Sequence, residues 1–128
     1  HEVHVLIMAE GETSRDRQRD REYRKEELSQ LSAAAHAAAA ILQIKSVELL
    51  DYPDNRMLSV DLLDVVKAVE ERIENLQPEV VVTHHAGDLN MDHQIVHRAA
   101  VTACRPQTGQ TGKLEEPSHR VAVERAPQ

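Results

Sequence analysis

Aromatic residues are scarce in this sequence: they make up 2% of its 128 residues, and Trp and Phe are absent. A hydrophobic core must therefore be built from Val, Ile, Leu and Ala, which the apolar content of 41% can supply. Cys104 is the only cysteine, so no disulfide framework can form within the chain, and we expect a cytoplasmic location. No apolar run reaches the roughly 18 residues of a membrane-spanning helix, so no membrane span is predicted.

Positive charge is also in short supply, because the formal net charge is -7. Nucleic-acid binding needs clustered Lys and Arg that displace counterions, so we expect no nucleic-acid partner. The one dense basic run, residues 15–25, is interleaved with Asp16, Asp20 and Glu22. We interpret this run as the solvated face of a helix.

Patterns typical of strands and helices alternate along the first hundred residues. Runs of β-branched and aliphatic residues predict buried strands at 3–9, 45–50 and 79–83. Apolar residues at helical spacing predict helices at about 15–42, from Ser59 or Asp61 to Pro78, and at about 92–103. This alternation is typical of an α/β fold with a parallel sheet. We expect one domain over residues 1–105, followed by a loosely packed or disordered tail over residues 106–128.

A polar loop follows each predicted strand. Because the carboxyl ends of parallel strands meet at one edge of a sheet, we expect the three loops to lie there. The chemistry-bearing residues of these loops are Glu10, Glu12 and Arg15 in the first, Asp54, Asn55 and Arg56 in the second, and His84, His85, Asp88, Asn90, Asp92 and His93 in the third. Such a set suits a polar, hydroxyl-bearing or phosphorylated ligand.

The third loop concentrates imidazole and carboxylate groups, which are metal ligands or an acid/base set. His93 and His97 are four residues apart on a predicted helix, a spacing that can hold one zinc ion. The alternative is that Asn90 caps the helix and Asp92 stabilises its dipole. Capping does not explain His84 and His85. Two alternatives therefore stay open. One is a non-catalytic Rossmann-like module that binds a sugar or nucleotide, and the other is a metal-binding protein that uses His84, His85, His93 and His97.

Residues 83–93, Thr-His-His-Ala-Gly-Asp-Leu-Asn-Met-Asp-His, followed by Val96-His97-Arg98-Ala99, resemble the second motif of the LmbE-like (PIG-L) deacetylases. The loops at residues 10–15 and 51–57 resemble the bacterial branch of that family. The resemblance implies a Rossmann-like three-layer α/β/α fold with a parallel sheet. It also implies a zinc-dependent hydrolase, with iron or another divalent metal as the alternative, that removes an N-acetyl group from an N-acetylglucosamine-type glycoside or related amide.

The resemblance also assigns roles to single residues. His93 matches the zinc ligand of the second motif, and Asp92 matches the aspartate that supports a catalytic histidine. Asn90 stands where that histidine is expected, so His84 or His85 is the candidate for stabilising the oxyanion. The candidate substrate-binding residues are Asp54, which matches a carboxylate that binds sugar hydroxyls, its neighbour Arg56, and Glu12 and Arg15 for the distal part of the substrate.

The family's first motif, His-Pro-Asp-Asp-Glu, does not occur in the sequence. In the family this motif supplies two zinc ligands and the general base. We therefore expect the chain to be a fragment of a longer deacetylase. The fragment lacks the first strand and the first helix, and we expect it to hydrolyse little by itself. The family strand order predicts that residues 3–9 pair in parallel with residues 45–50. The expected partner is a small amino-sugar conjugate, and the resemblance leaves a homo-oligomer open.

Overall fold

The computed structural model describes residues 1–105 and the backbone of residues 120–123. The strands are β1 (His4–Ala9), β2 (Ser46–Tyr52), β3 (Val80–Thr83) and β4 (Arg120–Val123). The helices are α1 (Lys25–Ile41), α2 (Leu62–Leu76) and α3 (Met91–Ala103), and short 3-10 turns lie at Thr13–Arg15 and Met57–Ser59. The chain divides into two compact units, His1–Met57 and Leu58–Gln128, and each is described separately.

The first unit contains β1, α1 and β2. The two strands pair in parallel, from His4 opposite Ser46 to Ile7 opposite Leu49, with an irregularity before Ala9 meets Tyr52. This parallel pairing confirms the prediction for residues 3–9 and 45–50. The helix α1 packs on β2.

The helix predicted from residue 15 begins ten residues later, at Lys25, so interpreting the basic run as a solvated helix face was wrong. Arg24 instead donates from Nε and Nη2 to the two carboxylate oxygens of Asp16, both at 2.8 Å. Arg19 reaches Glu10 and the carbonyl of Asp51. Charged partners that lie far apart along the chain therefore hold residues 16–24 as a folded loop. Helical periodicity in a charged run cannot reveal such partners.

The second unit contains α2, β3, α3 and β4. Asp61 caps α2 by accepting a hydrogen bond from the amide of Leu63 at 2.9 Å, as expected of an N-cap residue. The helix ends at Leu76, and the left-handed backbone (φ 46°) of its C-cap, Gln77, turns the chain before Pro78. Its buried residues are Val65, Val66, Val69 and Ile73, and it packs on α3, which buries Ile95, Ala99, Ala100 and Ala103. The contact between the two helices holds α3 within the unit.

A short strand also lies within the segment that the sequence predicts to be a loose tail. Strand β4 pairs in parallel with β3, from Val80 opposite Arg120 to Thr83 opposite Val123. For residues 120–123 the expectation of an unstructured tail is therefore corrected. As an edge strand, β3 offers unpaired backbone groups with which another extended segment can form hydrogen bonds. The four residues of β4 are too few for the alternation of apolar and polar residues that predicts a strand. The other tail residues lie outside the described part, and a domain boundary after residue 105 stays a prediction.

Within the residues that the structure describes, β1 pairs with β2 and β3 pairs with β4. Parallel strands alternating with helices are the α/β organisation that the sequence predicts. None of the described helices is long and apolar enough to cross a membrane.

Candidate functional site

The candidate site lies where β3 ends and α3 begins. The N-cap of α3 is Asn90, whose Oδ1 accepts hydrogen bonds from the amides of Asp92 at 2.9 Å and His93 at 3.2 Å. Two residues before the cap, Asp88 Oδ1 accepts a hydrogen bond from the amide of Asn90 at 2.8 Å. The side chain of Gln94 also donates, through Nε2, to the carbonyl oxygen of Asp88 at 2.6 Å. The capping role predicted for Asn90 is therefore confirmed. These bonds fix the chain from Asp88 to the first turn of α3.

His84, Asp88 and His93 form a cluster that we call the His-Asp-His cluster. One ligand atom from each of the three lies within 4.8 Å of the others. His93 Nδ1 is 2.8 Å from Asp88 Oδ2, and the rings of His84 and His93 are stacked with centroids 4.0 Å apart and planes 4° from parallel. All three residues are half-buried. The cluster therefore brings two imidazoles and a carboxylate close together, with the two rings stacked so that their in-plane nitrogen lone pairs do not converge on one point.

The charge state of Asp88 follows from its partners. The amide of Asn90, and after it the imidazole of His93, hold the pKa of Asp88 below its usual range. Asp88 is therefore ionised near neutral pH, and a carboxylate can only accept. The hydrogen between the two side chains then sits on His93 Nδ1, which leaves Nε2 as the nitrogen of that ring that could bind a metal.

Three other predicted site residues of this loop lie outside the cluster. His85 Nδ1 accepts a hydrogen bond from the amide of Gly87 at 3.0 Å and so closes the turn. A side chain at residue 87 would meet this ring, since a Cβ there would lie 2.9 Å from His85 Cε1. Asp92 is buried, with 6% of its surface exposed, in the first turn of α3. Asn90 acts through its capping bonds.

His97 is also placed differently from the zinc pair suggested by its spacing from His93. Its Nδ1 lies 2.7 Å from the carbonyl oxygen of His84, and it does not belong to the His-Asp-His cluster. Asp88 is the cluster member to which sequence reasoning gave no role. The signal was present as a carboxylate two residues before a helix cap, but the spacing of Asp88 from His84 and His93 matches no linear metal motif.

In the first unit, the structure brings the two predicted substrate-binding loops together. Arg56 Nη2 donates to the carbonyl of Asp16 at 2.6 Å, and Asn55 Nδ2 donates to Ser14 Oγ at 3.4 Å. Glu12 forms an ion pair with Arg15 at 3.2 Å. Asp54 lies in the same turn as Asn55, which has a left-handed backbone (φ 52°). The guanidinium of Arg56 thus helps to hold the first loop.

The anchor of that first loop is Glu10, at the end of β1, with only 3% of its side chain exposed. Arg19 Nε and Arg21 Nε lie 2.7 and 2.8 Å from its carboxylate, and Thr13 Oγ1 donates to it at 2.7 Å. Burial opposes ionisation of Glu10, but Arg19, Thr13 and Arg21 together outweigh it and lower the pKa. Sequence reasoning placed Glu10 among the ligand-facing residues, whereas its carboxylate is used within the fold.

The donor set of the His-Asp-His cluster fits a catalytic transition metal. Two histidines and one carboxylate bind zinc in hydrolytic sites that keep a further position open. The same set is the ligand arrangement of non-haem iron(II). By residue type, the cluster therefore matches either metal that the family resemblance implies.

Comparison with known proteins identifies the family. The family model for PIG-L, described as GlcNAc-PI de-N-acetylase, matches residues 1–104. The chain belongs to the PIG-L family. The His-Asp-His cluster lies inside the matched region. No curated protein matches the chain.

A solved structure supports the fold of this PIG-L chain. The chain is similar to the conserved protein TT1542 from Thermus thermophilus, with a TM-score of 0.60 and 18% sequence identity. The match covers 99% of this chain and 55% of TT1542, so the chain spans about half the length of that protein. At this identity the likeness concerns the fold, and it confirms the predicted Rossmann-like α/β/α class.

Proposed function

We propose that this PIG-L protein serves as a metal-dependent amide hydrolase that removes an N-acetyl group from an N-acetylglucosamine-type glycoside or a related amide. The observation that carries the proposal is the His-Asp-His cluster, which lies within the family match and has the donor set of a hydrolytic metal site. Zinc is the proposed metal, and iron is the alternative.

Lewis acidity toward an amide carbonyl and a water nucleophile is the chemistry that a divalent metal would supply at the cluster. His93 would hold the metal through its imidazole, together with the two ligands that the family's first motif supplies, and the ionised Asp88 would add a negative charge beside it. His84 or His85, directly after β3, is the proposed donor to the developing oxyanion, a role that fixed hydrogen-bond donors perform in acyl transfer. Asp92, buried in the first turn of α3, and Asn90 would keep these groups in place.

The family resemblance assigns sugar binding to residues of two loops, 10–15 and 51–57. Asp54 is the proposed acceptor for sugar hydroxyls, and Glu12 and Arg15 would contact the distal part of the substrate. Arg56 would act chiefly by holding the first loop, because its Nη2 donates to the carbonyl of Asp16. These four assignments rest on the resemblance of the two loops to the bacterial branch of the family.

The first test measures, by mass spectrometry, the metal content of a longer version of the protein that carries a His-Pro-Asp-Asp-Glu segment ahead of residue 1, after exposure to zinc or iron(II). We expect one metal per chain, lost in His93→Ala. The matched control is His36→Ala, which removes an exposed histidine of α1 that bonds to the carbonyl of Ser32. Loss of metal in the control as well as in His93→Ala would mean that the binding is not specific to the cluster.

The second test measures amine release from N-acetylglucosamine conjugates by a longer version of the protein that carries a His-Pro-Asp-Asp-Glu segment ahead of residue 1. Release that chelation and His93→Ala both abolish would support the deacetylase. Stoichiometric metal without release would instead favour the metal-binding module. A protein that does not bind metal and does not release amine would favour the sugar- or nucleotide-binding module.

A further inference from the structure

The bond between Asp88 and His93 uses one particular nitrogen of the imidazole ring. His93 Nδ1 lies 2.8 Å from Asp88 Oδ2, which belongs to a residue five positions earlier in the chain. An ionised carboxylate has only acceptor oxygens, so Nδ1 is the donor and carries the hydrogen. A neutral imidazole carries one ring hydrogen, and Nε2 of His93 therefore keeps a free lone pair, the group that binds a metal.

The carboxylate of Asp88 is itself held in place, because both of its oxygens are bonded. Oδ1 accepts from the amide of Asn90 at 2.8 Å, while Oδ2 faces His93. The backbone of Asp88 is held as well, since its carbonyl oxygen accepts from Gln94 Nε2 at 2.6 Å and its amide donates to the carbonyl of His85 at 3.1 Å. The side chain of Asp88 therefore cannot turn away from His93 without losing its bond to the amide of Asn90.

Two other contacts restrain His93 but do not choose between its ring nitrogens. Its amide donates to the side chain of the cap residue Asn90 at 3.2 Å, which places its backbone in the first turn of α3. The ring of His84 stacks on it, with centroids 4.0 Å apart and planes 4° from parallel. A half-turn of the His93 ring about its bond to Cβ would keep this stacking and exchange Nδ1 with a carbon atom. The bond to Asp88 is the contact that decides between these two ring orientations.

We propose that Asp88 is a positioning residue: by accepting the hydrogen of His93 Nδ1, its carboxylate fixes the orientation of the ring and keeps Nε2 of His93 free to bind the metal. The inference rests on the proposed function, in which His93 is a metal ligand. It gives Asp88 a role that requires no contact with the metal. Removing a carboxylate that bonds to the second nitrogen of a metal-binding histidine typically weakens metal binding by about 10–100-fold.

Asp88→Asn tests this role directly, because the side chain of asparagine has one oxygen where that of aspartate has two. If that oxygen keeps the bond to the amide of Asn90, the NH2 group faces His93, whose Nδ1 must then accept. The hydrogen of the ring should therefore move to Nε2, the nitrogen assigned to the metal. Asp88→Ala is the second variant, since it removes both oxygens and with them the preference for a hydrogen on Nδ1.

Long-range proton–nitrogen NMR spectra of the 128-residue chain report which ring nitrogen carries the hydrogen. They are recorded at mildly alkaline pH, where an imidazole is neutral, and the signal of His93 is assigned by its loss in His93→Gln. We expect the hydrogen on Nδ1 in the wild-type chain and on Nε2 in Asp88→Asn, with circular dichroism to check folding. Asp61→Asn is the matched control and should leave the His93 signal unchanged, because Asp61 also accepts from the amide two residues later but caps α2.

Zinc affinity of the longer version of the protein, measured by competition with a chromophoric chelator, tests the consequence for the metal. We expect about 10–100-fold weaker binding in Asp88→Asn and Asp88→Ala. Asp61→Asn should keep an affinity near that of the wild type.

The outcomes distinguish the role of Asp88 from the proposed function. A hydrogen on Nε2 of His93 in the wild type, or one that stays on Nδ1 in both Asp88 variants, would overturn the role while leaving the metal site standing. Wild-type zinc affinity in folded Asp88→Asn and Asp88→Ala would do the same, provided that His93→Ala abolishes binding. Loss of stoichiometric zinc in Asp88→Ala, as complete as in His93→Ala, would make Asp88 a ligand and also overturn its role as a positioning residue. A longer protein that binds no zinc refutes the proposed function and this inference together.

Discussion

The capping bonds of Asn90 give a prediction that separates stability from metal binding. The side chain of Asn90 accepts hydrogen bonds from the amides of Asp92 and His93, and it is also the residue at the position of a catalytic histidine in the family resemblance. Asn90→Ala leaves both amides without their acceptor at the start of α3. Loss of an N-cap side chain typically costs about 0.5–2 kcal/mol of unfolding free energy. Because two bonds are lost, we expect about 1–2 kcal/mol here.

The matched control is Asp61→Ala at the N-cap of α2, where one amide, that of Leu63, loses its acceptor at 2.9 Å. We expect about 0.5–1 kcal/mol for this change. Urea unfolding followed by circular dichroism measures both losses, provided that the slope against denaturant is unchanged. Asn90→Ser should keep most of the stability, because serine is an equally favoured cap.

Metal affinity then distinguishes the two caps. The amide of His93 loses its acceptor in Asn90→Ala, so the ring of a cluster member becomes less fixed, and zinc binding should weaken. Asp61 caps the other helix of the unit, and Asp61→Ala should leave zinc affinity near its wild-type value. Wild-type stability in Asn90→Ala would refute the capping argument. Equal loss of zinc affinity in both variants would show that the effect comes from general destabilisation.

Three further predictions concern other parts of the chain. The pKa of Glu10 is lowered on folding, so its ion pairs contribute stability above its ordinary pKa of 4.5 that is lost as pH falls below that value. Glu10→Gln should therefore destabilise the chain at neutral pH. It should also flatten the fall in stability that we expect below pH 4.5, and unfolding measured across a pH series checks both effects. In the longer version of the protein, Asp54→Ala should leave the metal content intact and lower kcat/KM for a glucosaminide. The expected decrease corresponds to a loss of about 1.5–3 kcal/mol of transition-state stabilisation, which is the typical contribution of a charged hydrogen bond. An unchanged kcat/KM would contradict the role of Asp54. The 128-residue chain by itself should release no amine from N-acetylglucosamine conjugates, and release that chelation and His93→Ala abolish would refute this expectation.

The sequence by itself determined the elements and the family. Runs of β-branched residues and apolar residues at helical spacing are local signals, and they placed β1, β2, β3, α2 and α3 close to their observed bounds. The caps at Asp61 and Asn90 are local as well, because a side chain bonds to amides two or three residues away. The motif at residues 83–93 is also continuous in the chain, and the family match over residues 1–104 confirms the family assigned from it.

The tertiary structure decided which side chains meet. Arg19 and Arg21 converge on Glu10 from nine and eleven residues away, respectively, and this convergence replaced a predicted stretch of helix with a loop. Asp88 joined the His-Asp-His cluster because the turn before α3 folds back on itself. His97 bonds to the backbone of His84 because α3 packs on β3. Such partners depend on how elements pack over long stretches of chain, and local propensity and spacing carry no information about that packing.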